Sequence, residues 1–98
     1  MTLNDIKKLI ARKQYLISSK VEDLIEEGYF SEADLEHCIF TATRVYKRER
    51  DELKQAVDGM KYVIIGRDTH GHLFYTAGKV VRSYTGRFYF FITAHQAE

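Results

Sequence analysis

The chain has 98 residues, with 15 Lys and Arg against 14 Asp and Glu, one cysteine, no proline and no tryptophan. That length makes one domain, and a domain of this size buries roughly 60–70% of its unfolded surface, enough for one core. One cysteine excludes a disulfide framework and a multi-cysteine zinc site, and 13% aromatic residues with a net charge of +1 are the opposite of a solvated tail. No apolar run approaches the ~20 residues of a membrane-spanning helix. Residues Met1 to Asp5 lack the charged and apolar regions of a secretory leader, so a cytoplasmic location and no membrane contact are expected.

The near-zero charge is a sum of unlike halves. Residues 1–58 carry 10 basic and 12 acidic side chains, whereas residues 59–98 carry 5 and 2. Leu3, Ile6, Leu9 and Ile10 recur at helical spacing and predict a helix over 3–13, with Thr2 or Asn4 as cap. Val21, Leu24 and Ile25 predict a second, capped by Ser18 or Ser19 and stopped at Gly28. Ser31-Glu32-Ala33-Asp34 reads as a capping box that opens a third, with Leu35, Cys38, Ile39 and Ala42 as its buried stripe. The acidic run Glu22 to Glu36 falls on the solvated faces of the last two.

The second half reads as strands. A short one is predicted at Thr43–Lys47, and Arg48–Gly59 reads equally as a helix or a loop. Lys61–Arg67, His72–Arg82 and Arg87–His95 are rich in β-branched and aromatic residues. The turns Asp68–Gly71 and Ser83–Gly86 each end in glycine and join them as an antiparallel meander. The expected architecture is α+β. N-terminal helices (about 1–42) pack on one face of a three- to four-stranded antiparallel sheet (about 43–95), in a single domain over 1–98.

Alternation assigns the two sheet faces. Phe88, Phe90, Ile92 and Ala94 form a purely apolar set that should face the helices. Lysine is rarely buried, so Lys79 marks the open side. That face would carry Tyr75, Lys79, Tyr89, Phe91 and His95, with Arg82 and Arg87 near the hairpin. Cations beside aromatic rings suit RNA, because cations neutralise phosphates and rings stack on bases. They also suit its cleavage: His95, Lys79 and Tyr89 are the candidate acid or base groups, and Arg82, Arg87 and Tyr75 the candidate substrate contacts. No cofactor and no metal are expected. His70 and His72 sit in a turn without a further ligand cluster, and Cys38 lies on an apolar stripe as an inert buried thiol. Gly78, inside a strand, signals a bulge or the close approach of another group.

The order of these pieces resembles a bacterial family catalogued as domain of unknown function four-two-five-eight. Tyr15-Leu16-Ile17-Ser18, Gly28-Tyr29-Phe30-Ser31-Glu32-Ala33-Asp34-Leu35, Tyr62-Val63-Ile64-Ile65-Gly66 and Phe91-Ile92-Thr93-Ala94-His95 are similar to successive segments of that family, over about residues 3–97. The family is similar in layout to the BrnT and RelE ribonuclease toxins, which implies RNA binding or metal-independent RNA cleavage and an antitoxin-like partner. Lys20 stands where family members usually have a histidine, and His95 where they close on tyrosine. Two functional readings remain open: a toxin-like protein acting on RNA from the open face, or a non-enzymatic module whose aromatic face docks a partner or a second copy.

Overall fold

A computed structural model describes residues 1–97, so Glu98 of the expected domain lies outside the described residues. In chain order the elements are α1 (Leu3–Ala11), β1 (Tyr15–Ile17), α2 (Ser19–Glu26), α3 (Glu32–Thr41), β2 (Lys47–Arg50), β3 (Met60–Arg67), β4 (Leu73–Ser83) and β5 (Gly86–Gln96). The class is α+β, with three helices on one face of a five-stranded sheet of order β1-β5-β4-β3-β2. Thr2, Ser18 and Ser31 cap the helices through their side chains, and Asp5 and Asp34 close capping boxes.

Three expectations are corrected. The sheet is mixed, because β1, read as chain between helices, pairs parallel with β5 through Tyr15–Tyr89 and Ile17–Phe91. The short strand lies at Lys47–Arg50 rather than Thr43–Lys47. Its four charged residues occupy an edge, where charge discourages further strand pairing. The stretch from Asp51 to Gly59 is a loop, and its Ala56 and Val57 pair with β4 where β3 has not yet begun.

The third correction concerns which side of β5 is buried. Tyr89 and Phe91 are fully buried and join the helix-side core, whereas Phe88 and Phe90 are half-buried on the outer side. The cause is a bulge. Ala77 pairs with Thr93 but Gly78 pairs with Phe91, so Ile92 is one residue too many on β5. A one-residue slip exchanges the faces, and the assignment read from Ala94 therefore fails on the other side of Ile92. Ser18 pins the bulge: its N–H donates to Phe91 O at 3.0 Å and its hydroxyl to Ile92 O at 2.8 Å.

Helix and sheet backbones meet closely on the inner face. A methyl group on Gly66 would lie 2.0 Å from Cys38 O, and one on Gly78 would lie 2.5 Å from the Tyr89 ring. Glycine is required at both sites for clearance. The inference of a bulge or close approach at Gly78 is met on both counts.

Candidate functional site

The six residues assigned to RNA chemistry do not form one site. Lys79 is on the outer face of β4 as expected, but only 2% exposed. Its Nζ lies 3.2 Å from Asp51 Oδ1 and donates to Gln55 Oε1 at 2.8 Å, so its donors are engaged. Asp51 also accepts the N–H groups of Leu53, Gln55 and Ala56. Burial works against its charge, but the Ala56 and Gln55 amides and the Lys79 ammonium outweigh it and hold its pKa at about 2. The pair is an anchor that fastens the loop over β4.

Tyr89 lies on the opposite side of the sheet, 0% exposed among core residues, with its hydroxyl lacking any hydrogen-bond partner among the described residues. Burial drives its pKa far up. A phenol in this position has no access to a bound substrate. His95 is exposed on the outer face and pairs in register with Tyr75, their rings stacked at 4.5 Å. Arg82 and Arg87 are exposed and oppose each other across the hairpin. Of the six, Tyr75 with His95 and Arg82 with Arg87 are brought together, at opposite ends of β4. The acid and base groups are not.

A different arrangement occupies the outer face. Leu16 pairs with Phe90, whose own partner on β4 is Lys79, and Val81 of β4 pairs with Phe88 one step along the outer face. Leu16, Phe90 and Val81, with Gln55 and Arg82, line a groove of about 460 Å³. Leu16 is 45% exposed, large for a leucine on a sheet face. Arg82 makes no ion pair among the described residues. The exposure of Leu16 was not legible in advance, because β1 is only three residues long and its partner strand lies 74 residues away.

The β3–β4 turn is explained by its own geometry. Asp68 accepts the N–H groups of His70 and His72, each at 2.9 Å, and His72 Nδ1 lies 3.6 Å from Asp68 Oδ2. Among the described residues no three metal-ligating side chains converge. Cys38 is fully buried, its thiol 3.3 Å from Phe74 O, and burial lifts its pKa to about 11. That is a thiol held away from its nucleophilic form.

Among the described residues no helix is long and apolar enough to cross a membrane. No family model, curated protein or solved structure matches the chain.

Proposed function

We propose that this chain is a non-enzymatic interaction module that seats an apolar, acidic segment of a partner protein in the outer groove of its sheet. The carrying observation is the groove itself: Leu16, Val81 and Phe90 leave apolar surface in water, rimmed by the unpaired cation Arg82. Uncovered apolar surface with a polar rim marks a docking site. Charge selects the occupant. A second copy docked face to face would bring the Arg82 cations of both chains into one interface, whereas a carboxylate beside Leu or Phe satisfies the groove.

The test is an amide NMR titration with a short peptide of alternating Leu and Glu, against the same peptide carrying Lys for Glu. The acidic peptide shifts Leu16, Val81, Arg82 and Phe90, and Arg82→Glu abolishes the effect. Equal response to both peptides, or none to either, overturns the reading. So does a stable dimer in light scattering whose outer-face signals broaden with concentration.

The RNA reading keeps one support, the outer-face Tyr75–His95 stack, which presents aromatic surface to a base. It goes with the resemblance to ribonuclease toxins suggested by the order of the sequence segments. A labelled single-stranded RNA tests binding by anisotropy and cleavage by gel, and growth on induced expression tests toxicity. Catalysis by His95, Lys79 and Tyr89 together has no geometric support, since they occupy an exposed strand end, a buried ion pair and the core.

A further inference from the structure

We infer that the corner between α1 and the β4–β5 hairpin is a binding site for a phosphoryl anion. It is separate from the groove and uses other side chains. Lys8 and Arg12 stand four residues apart on the C-terminal end of α1 and so share one helix face. Arg87 arrives from the start of β5. With Met1, Asp5 and Leu9 these three cations line one pocket of about 240 Å³.

The lining sets three side-chain cations, Lys8, Arg12 and Arg87, against one carboxylate. Its single acid, Asp5, accepts the Thr2 N–H at 2.9 Å within the capping box, and that bond lowers its pKa. Neither Lys8, Arg12 nor Arg87 makes an ion pair among the described residues. The C-terminal turn of a helix favours cations and accounts for Lys8 and Arg12. It does not account for Arg87, which belongs to a strand.

A multiply charged anion in the pocket offsets the mutual repulsion of Lys8, Arg12 and Arg87. A phosphoryl group suits it best, because guanidinium forks give paired charge-assisted hydrogen bonds to phosphate oxygens and an ammonium adds a point charge. The shared chemistry is the phosphoryl group, carried by a small free molecule or by a nucleic-acid backbone. Only the fold brings Arg87 beside Lys8 and Arg12.

The test is a titration of the full chain at low ionic strength with pyrophosphate, inorganic phosphate and a short single-stranded oligonucleotide as separate arms. The readout is the guanidinium Nε–H signals of Arg12 and Arg87. Saturable shifts at both residues are expected, and Lys8→Gln or Arg87→Gln should each weaken binding about tenfold or more, the effect of one charge-assisted hydrogen bond. Arg87→Lys keeps the charge without the fork and should fall between. Saturation by pyrophosphate or phosphate assigns a free phosphoryl ligand; saturation by the oligonucleotide alone assigns a backbone phosphate. The site is overturned if none of the three probes saturates, or if the shifts survive Lys8→Gln and Arg87→Gln. Failure of the peptide groove is read at Leu16 and Phe90 and leaves this result untouched.

Discussion

Phe90 and Phe91 are adjacent on β5 and live on opposite faces of one sheet. Phe91 is fully buried, with the Tyr15 ring edge-on at 5.5 Å and the Tyr89 ring at 5.0 Å. Phe90 is half-buried beside Leu16, with no helix above it. The inner face is closed by contact so tight that Gly66 and Gly78 have no room for a methyl group. The outer face is closed only over Lys79, by one loop and one carboxylate. Stability is therefore concentrated on the inner side, and the open apolar surface on the outer side.

The sharpest way to break this contrast is to truncate the inner ring. Phe91→Ala should cost about 3–5 kcal/mol, the range for a buried aromatic replaced by alanine. The measurement is urea unfolding followed by circular dichroism. A loss no larger than that of Phe90→Ser would show that the two faces do not differ in this way.

The one strongly fixed part of the outer face comes next. Removing one partner of a buried ion pair strands the other, so Lys79→Met and Asp51→Ala should each cost about 3 kcal/mol or more. Asp51→Ala should be the worse, since it also frees the Leu53, Gln55 and Ala56 amides. The pH dependence has a definite sign. The folded pKa of Asp51, about 2, lies below the ordinary aspartate value of 3.8. Its contribution is thus complete above the unfolded value and disappears as pH falls through the folded one. Asp34, held at about 2 against its burial by Thr69 and Ser31, adds a loss in the same window. The wild type should lose stability between about pH 4 and pH 2, and Asp51→Ala should lose less over that interval. Equal slopes would sink the assignment of Asp51 as the anchor.

Ser18 links the faces, because it caps α2 and pins the Ile92 bulge that sets which side of β5 is buried. Ser18→Ala should cost about 1–2 kcal/mol, the upper range for a lost cap. Amide exchange should speed up at the start of α2 and around the bulge. A change confined to α2 would mean that the bulge holds without the hydroxyl.

These residues also show what a sequence can convey. The Ser31–Asp34 capping box, the Gly28 stop and both glycine-ended turns are local signals and lie where they were read. β1 was missed because three residues carry no period, and it is held by a strand far along the chain. A bulge was legible at Gly78, but not that the extra residue is Ile92 on the facing strand, whose carbonyl is held by Ser18 74 residues away. Lys79 marked the outer side correctly but was read as exposed, since its partner Asp51 lay in the one segment without a readable pattern. Long-range pairings of this kind overrode alternation and residue-type habit.

Tyr89→Phe tests the inner face from the opposite direction. The Tyr89 hydroxyl is buried without a hydrogen-bond partner among the described residues, and an unsatisfied buried polar group costs about 1–3 kcal/mol. Phenylalanine keeps the ring against Gly78 and removes the orphan. Thermal unfolding should show a gain of about 1 kcal/mol, the low end of that cost. A loss would mean that the hydroxyl is satisfied in solution.

The smallest stability effect is expected at Phe90, and it separates folding from binding. Phe90 already gives part of its ring to water, so Phe90→Ser removes little burial and should cost about 1 kcal/mol or less. The same substitution takes away the floor of the groove between Leu16 and Val81. It should therefore abolish the response to the acidic peptide while leaving the unfolding midpoint nearly unchanged. If Phe90→Ser unfolds the chain as Phe91→Ala does, the outer face is a second core. If it leaves peptide binding intact, the groove is not where the partner sits.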